Sequence, residues 1–188
     1  MKMLTKVAVA MLACAGIASA DDKKPEAKKE PAKAEAPKPP AELDAMAKAM
    51  VGSWKCKGDM MDMAGGKSAV TATNVAKLDL NKFWLAESLE VKGGAGYKMT
   101  SYTTYDAKAS KWRRIGIDGF GGYMVGTSDG MKDNKMDWNM DTVSAMGTGQ
   151  FRDHVDASDA KVGMKVWGEM SMDKGKSWNK MYEMTCKK

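Results

Sequence analysis

Two alternating stretches decide the fold: Val51-Gly52-Ser53-Trp54-Lys55-Cys56-Lys57-Gly58, and the later run Trp178-Asn179-Lys180-Met181-Tyr182-Glu183-Met184-Thr185-Cys186. In each stretch apolar side chains recur at every second position, which is the period of a β-strand with one buried face. That face carries Trp54 and Cys56 in the first stretch, and Trp178, Tyr182, Met184 and Cys186 in the last. Pairing of the two stretches would close the intervening sheet into a barrel.

Proline and glycine divide the chain into two parts. All five prolines lie before residue 41, whereas most of the 19 glycines lie at intervals between Gly52 and Gly175. Proline is rare inside sheets, and glycine supplies the positive φ angle that tight hairpin turns require. We therefore predict one all-β domain over residues 41–188.

Alternation after Gly52 predicts about ten strands joined by glycine-containing turns. The segments are roughly 52–60, 67–77, 82–92, 96–105, 110–118, 121–128, 134–143, 149–156, 160–171 and 177–187. Turns such as Gly93-Gly94 and Asp129-Gly130 favour hairpins between consecutive strands. The predicted fold is a closed, antiparallel, up-and-down barrel.

A short helix is predicted over residues 41–50. Its apolar positions, Leu43, Met46, Ala47 and Met50, fall on one helical face, and Pro40 suits the first turn. We expect this amphipathic helix to lie across one end of the barrel and to cover it.

The first 20 residues have the features of an export signal. Two lysines precede an apolar stretch, and Ala18-Ser19-Ala20 supplies the small residues that signal peptidase requires, so cleavage is predicted after Ala20. The apolar stretch is too short to span a bilayer, and we predict no membrane span. The mature protein is expected to be periplasmic or secreted. Alternatively, Cys14 is the lipid-modified first residue of an anchored lipoprotein.

Residues 21–40 consist mainly of Ala, Lys, Glu and Pro and have no aromatic residue, which predicts a disordered linker. The formal net charge of the whole chain is +6, but its positive residues are scattered rather than gathered into a stripe. This pattern gives no indication of a nucleic-acid partner. Oligomeric state is left open by the sequence.

After removal of the signal, Cys56 and Cys186 are the cysteines that remain. An exported protein meets oxidising conditions, and an even number of strands makes the first and last strands antiparallel neighbours on closure. The sequence therefore predicts a disulfide between Cys56 and Cys186 that fastens the barrel, with Trp54 as a structural residue beside it.

A family resemblance agrees with this fold. Gly52-Ser53-Trp54, after a short helix, resembles the G-x-W motif of lipocalin and calycin barrels. The segment from Gly168 to Trp178, followed by Tyr182-Glu183-Met184-Thr185, is similar to the bacterial family named domain of unknown function 1579. The likeness covers roughly Met46 to Cys186 and implies a calycin-like barrel without an established activity. Nitrobindins, a related-looking family, hold haem through a histidine near the C-terminus, and this chain has no histidine there, so we predict no cofactor.

Polar residues at inward positions indicate a binding cavity. The candidate ligand-binding residues are Glu87, Tyr97, Ser101, Arg114 and Trp138, each of which shares a strand face with apolar residues. Barrels with an apolar lining and a few inward polar groups commonly bind one small molecule. Alternatively, Glu87 and Arg114 pair with each other and only satisfy a buried network.

Methionine is unusually frequent, with 19 residues in the chain. Thioethers are soft ligands that select Cu(I), so Met170 and Met172, on one strand face, form an alternative copper site. The competing interpretation is that methionine serves as flexible core filler or as an oxidation sink.

Catalytic signals are weak. His154 is the single histidine, and alternation places it on the solvent face. Gly126-Thr127-Ser128-Asp129-Gly130 matches G-x-S-x-G, but a strand rather than a helix is predicted after it, unlike a nucleophile elbow. We therefore predict a non-catalytic exported barrel of unknown role that either binds a small apolar ligand or acts as an envelope accessory protein, with copper binding and a cryptic enzyme as the alternatives.

Overall fold

The computed structural model describes residues 35–62, 65–145 and 147–188. The predicted signal peptide, Cys14 and linker residues 21–34 lie outside this range. Residues 37–188 form one compact unit. Within the described residues, no helix has the length and apolar character needed to cross a membrane.

In the described part of the chain, one helix precedes ten strands. The elements are α1 (Ala41–Met50), β1 (Gly52–Met61), β2 (Lys67–Asp79), β3 (Trp84–Lys92), β4 (Tyr97–Asp106), β5 (Lys111–Asp118), β6 (Tyr123–Ser128), β7 (Lys135–Ser144), β8 (Gly147–Asp156), β9 (Met164–Ser171) and β10 (Asn179–Lys187). Each strand pairs with the next, and β1 pairs with β10, so that the sheet is a closed barrel. The predicted up-and-down barrel is confirmed.

The seam between β1 and β10 holds the predicted disulfide. The two strands are antiparallel, and their register places Cys56 directly opposite Cys186. The sulfur atoms of these residues are bonded, and both side chains are buried. The bond therefore joins the two margins of the sheet where the barrel closes.

Helix α1 covers one end of the barrel, as predicted. Leu43 is 1% exposed, and Ala47, one turn later, is also buried. The helix contacts β2, β3 and β4. Its last carbonyls accept bonds from the barrel: Trp54 Nε1 donates to Met50 O at 2.8 Å, and Lys188 Nζ donates to Ala49 O at 2.9 Å.

A β-bulge changes the face of one predicted residue. The register between β9 and β10 shifts between Lys180 and Tyr182. Residues 181 and 182 consequently both line the barrel interior. The expectation that Trp178 shares the face of Tyr182 is wrong, because a bulge inverts the alternation of side chains across it. Trp178 instead packs against Arg152, with 3.9 Å between the guanidinium carbon and the ring centroid.

Candidate functional site: a cavity inside the barrel

The barrel encloses a cavity of about 540 Å³. It extends from Met50 of helix α1 to the opposite end of the barrel, where turn residues such as Asp62, Gly94 and Phe120 surround it. We refer to that end as the mouth. Ten of the described lining residues are methionines: Met50, Met60, Met61, Met99, Met124, Met140, Met164, Met170, Met181 and Met184. The volume and the apolar lining are typical of small-molecule sites.

Arg114 of β5 is the centre of a polar cluster deep in the cavity. Its Nη1 donates to Asp153 Oδ2 at 2.9 Å, and its Nη2 lies 3.4 Å from Glu87 Oε2. Its Nε donates to Thr103 Oγ1 at 3.3 Å. The Arg114 side chain is 11% exposed, so one buried cation is shared between two carboxylates from different strands.

The remaining cluster members donate hydrogen bonds to the same two carboxylates. Asn74 Nδ2 donates to Glu87 Oε1 at 3.1 Å, and Ser101 Oγ donates to Glu87 Oε2 at 3.5 Å. The Tyr182 hydroxyl donates to Asp153 Oδ1. Each carboxylate therefore has its own neutral donors besides Arg114, as buried charges require.

Burial affects the ionisation of this cluster. Desolvation raises the pKa of Asp153, although Arg114 and the Tyr182 hydrogen bond act in the opposite direction. Desolvation, followed by the charge of Asp153, raises the pKa of Tyr182 well above its ordinary value. Tyr182 consequently stays protonated as a hydrogen-bond donor at neutral pH, while Asp153 is easier to protonate than a surface aspartate.

Trp138 lies on the helix side of Arg114. The guanidinium carbon of Arg114 is 4.1 Å from the Trp138 ring centroid. Trp138 is 1% exposed and lines a second, smaller space of about 100 Å³ beneath helix α1. Its indole N–H is buried and has no hydrogen-bond partner among the residues that the structure describes. Trp138 therefore stabilises the Arg114 guanidinium through a cation–π contact on the helix side of the cluster.

Tyr97, Asp118 and Phe120 lie at the mouth. The Tyr97 and Phe120 ring centroids are 6.2 Å apart, and Phe120 is 64% exposed. Burial, with the charge and hydrogen bond of Asp118, raises the pKa of Tyr97. The Asp118 carboxylate also accepts backbone hydrogen bonds from Phe120 and Gly122. The start of β4 and the β5–β6 turn therefore place a carboxylate and two aromatic rings at the entrance.

The structure brings together most of the predicted ligand-binding residues. Glu87, Tyr97, Ser101 and Arg114 line the cavity, and Trp138 lines the smaller space behind it. The alternative pairing of Glu87 with Arg114 is also present. A ligand-binding role for these residues stays a prediction.

Asp153 was missed by the sequence reasoning. The sequence nevertheless contains a signal for it. In the run Phe151-Arg152-Asp153-His154-Val155, Asp153 occupies every second position together with Phe151 and Val155, and all three line the cavity. Asp118 was missed because it lies at the end of a strand, next to a glycine turn, where alternation says little about side-chain direction.

His154 and Ser128 have different surroundings. The His154 ring stacks on Trp167 at 4.9 Å, and its Nδ1 lies 2.6 Å from Asp137 Oδ1 on the outer wall. Ser128 ends β6, and its Oγ accepts a 3.0 Å hydrogen bond from Gly130 N before the chain enters β7. Ser128 thus lies in a hairpin rather than in a strand–helix elbow.

The two candidate copper ligands, Met170 and Met172, both lie close to Gly149. A Cβ atom built on Gly149 would lie 3.0 Å from Met172 Sδ and 3.3 Å from Met170 Cε. Met170 is buried, whereas Met172 follows β9 and is 49% exposed. Among the described residues, no group of three or more His, Cys, Asp or Glu side chains could hold a metal ion.

Comparison with known proteins gives a fold relationship. No protein-family model matches the chain, and no curated protein matches it. Among solved structures, the crystal structure of Rv2717c from M. tuberculosis is similar, with a TM-score of 0.59 and 10% sequence identity. The match covers 79% of this chain and 98% of that chain. The chain thus shares its barrel fold with that protein.

Proposed function

We propose that the protein binds a small, mostly apolar ligand inside its barrel, outside the cytoplasm and without catalysis. The observation that carries this proposal is the cavity of about 540 Å³ with methionines on its wall and a polar cluster at one end. We refer to the end with the Arg114 cluster, next to Trp138, as the floor. An apolar wall supplies affinity by burying ligand surface, and a few fixed polar groups orient the ligand.

Several features support export. The disulfide between Cys56 and Cys186 agrees with an oxidising compartment. The first 20 residues supply the signal-like sequence. Mass spectrometry of the mature N-terminus tests this part of the proposal: a chain that begins at Asp21 supports cleavage, and an acylated Cys14 supports the lipoprotein alternative. Membership of the family named domain of unknown function 1579 is proposed on the same footing, from the Gly52-Ser53-Trp54 motif and the closing hairpin.

Ligand binding is tested with a neutral apolar dye, N-phenyl-1-naphthylamine, whose fluorescence rises on transfer from water to an apolar site. The wild type should bind the dye with saturation. Leu89→Trp is expected to weaken binding, because Leu89 lines the cavity and the larger indole would occupy part of it. Glu90→Trp is the matched control, since Glu90 is the next residue and points outward, where it lies 3.6 Å from Lys98.

A second variant tests whether the loss of binding in Leu89→Trp is caused by misfolding rather than by the smaller cavity. Val166 lines the cavity from β9, and Val166→Trp should reproduce the loss of dye binding. Both variants should retain a cooperative thermal transition. Dye affinity that neither substitution changes would place the dye elsewhere and contradict the proposal.

Copper binding is the second candidate, and the convergence of Met170 and Met172 beside Gly149 favours it. Titration with Cu(I) in the presence of a competing chelator should then show binding that is lost in Met170→Leu/Met172→Leu. Met131→Leu is the control, because Met131 lies near the helix-covered end. Absence of binding tighter than about micromolar, the range of a weak complex, would reject this candidate.

A further inference from the structure

We propose that the ligand of the barrel is an apolar cation, such as an alkylammonium, and that the cavity rejects fatty-acid-like anions. This inference rests on the proposed ligand-binding function and adds the charge of the ligand to it. It follows from the sign of the charges around the cavity, from the arrangement at its floor and from the groups at its mouth.

The cavity is acidic although the chain is basic. Among the described lining residues there are four carboxylates, Asp62, Glu87, Asp118 and Asp153, and one basic side chain, Arg114. The whole chain, by contrast, has a formal net charge of +6. Charges of one sign in a cleft with low-dielectric walls concentrate ligands of the other sign.

The floor of the cavity has a surplus of negative charge. Arg114 contacts both Glu87 and Asp153, so one cation serves two carboxylates. Both carboxylates are buried, at 9% and 15% side-chain exposure. A surplus charge in such a place is unfavourable unless a proton or a cationic partner neutralises it. A cationic head group that reaches the floor would supply that partner, whereas a carboxylate ligand would add a third anion.

The groups at the mouth of the cavity also favour a cation over an anion. Asp62 accepts a 2.8 Å hydrogen bond from Gly66 N, and Asp118 accepts a 2.8 Å hydrogen bond from Gly122 N, so each carboxylate is fixed by its own turn. Beside Asp118 lie the rings of Tyr97 and Phe120. Aromatic faces attract cations, most strongly where water is excluded. A cation entering the cavity therefore meets carboxylates and π-faces in succession.

The test uses three ligands with one decyl chain and different heads: decyltrimethylammonium, decanol and decanoate. Each is titrated below its micelle concentration at neutral pH, by calorimetry and by displacement of N-phenyl-1-naphthylamine. The expected order of affinity is cation, then alcohol, then anion, with at least a tenfold difference between cation and anion. Decanol or decanoate binding as tightly as the cation would overturn this inference while leaving ligand binding intact. If neither the dye nor any decyl ligand binds, the proposed function itself fails.

Charge-neutral variants assign the preference to the floor. Glu87→Gln keeps an oxygen acceptor for Asn74 and removes one negative charge, so affinity for the cation should fall about tenfold while affinity for decanol stays unchanged. Asp153→Asn should act in the same way and serves if Glu87→Gln does not fold. Glu90→Gln, on the outer wall of the same strand as Glu87, is the control and should alter neither affinity. Equal loss of cation and decanol binding in both floor variants would contradict a charge-based preference.

Discussion

Arg114 Nη1 donates a 2.9 Å hydrogen bond to Asp153 Oδ2, although 39 residues separate the two along the chain. The contact joins β5 to β8 through the barrel interior rather than along a hydrogen-bonded strand pair. Together with Glu87, it makes one guanidinium the link between three strands. The barrel is therefore held by an ionic cluster inside as well as by its closed wall.

Arg114→Met should destabilise the protein severely. Methionine preserves most of the side-chain volume, but it leaves the buried carboxylates of Glu87 and Asp153 without their cation. Removing one partner from a buried ion cluster typically costs about 3–5 kcal/mol. Urea unfolding followed by tryptophan fluorescence measures the loss.

Arg113→Met is the matched control for this substitution. Arg113 is the preceding residue on β5 and pairs with Asp106 at 3.1 Å, with 47% of its side chain exposed. Its replacement should change the free energy of unfolding only slightly, because exposed ion pairs contribute little. Similar losses in the two variants would show that the buried cluster has no special role in stability.

Asp153 should contribute more to the free energy of unfolding in mild acid than at neutral pH. Burial raises the pKa of Asp153 in the folded state above its unfolded value of 3.8, so the folded state binds the proton at a pH where the unfolded state does not. Its contribution to stability is present below pH 3.8 and is lost as the pH rises through the raised pKa. Asp153→Asn should remove this dependence, which urea unfolding at a series of pH values would reveal as a change in slope.

Asp156→Asn provides a control of opposite sign. Hydrogen bonds from Ser158 lower the pKa of Asp156, so this residue contributes stability at higher pH that is lost as the pH falls. The two variants should change the slope of stability against pH in opposite directions. If Asp153→Asn gave a curve parallel to that of the wild type, the raised pKa would be refuted.

The barrel was predictable because its signals are local and repeated. Leu85, Glu87 and Val91 alternate along β3 on one face, and all three are buried. Glycine marks most of the hairpin turns, although the β2–β3 turn instead holds Leu80, Asn81 and Lys82 at positive φ, and the two cysteines indicate which strands meet. Each inference needed a period of two and a short turn, both of which are properties of the chain itself.

The arrangement of the site was not predictable to the same degree. Alternation gives the face of a side chain but not its height in the barrel, which depends on the register of every strand pair. Glu87 and Ser101 are opposite one another on β3 and β4, whereas Arg114 is opposite Thr103 and reaches Glu87 diagonally. The bulge at residue 181 is invisible to alternation, and it is the reason that the Trp178 prediction failed.

The disulfide should contribute a large part of the stability. It joins residues separated by 130 positions, and the loop-entropy relation gives about 5 kcal/mol as an upper estimate for so long a loop. The double variant Cys56→Ala/Cys186→Ala should lower the free energy of unfolding by about 2–5 kcal/mol, measured by urea titration. Reductant should weaken the wild type by a similar amount and leave the variant unchanged. A loss below about 1 kcal/mol, the size of an ordinary surface contact, would mean that strand pairing alone closes the barrel.

Gly58 should be intolerant of even a methyl group. A Cβ atom at this position would lie 2.0 Å from Glu183 O and 2.7 Å from Met184 Cα, both of which are backbone atoms of the facing strand β10. Backbone atoms cannot rotate away, so Gly58→Ala must push β1 and β10 apart at the seam. We expect a loss of about 1–3 kcal/mol, as for other overpacked interiors.

Gly116→Ala is the control, because its nearest neighbours are Met124 Cγ at 3.0 Å and Met99 Sδ at 3.6 Å, which are flexible side-chain atoms. Thermal unfolding of the two variants should separate them clearly, and equal melting temperatures would show that the seam yields as readily as a methionine side chain does.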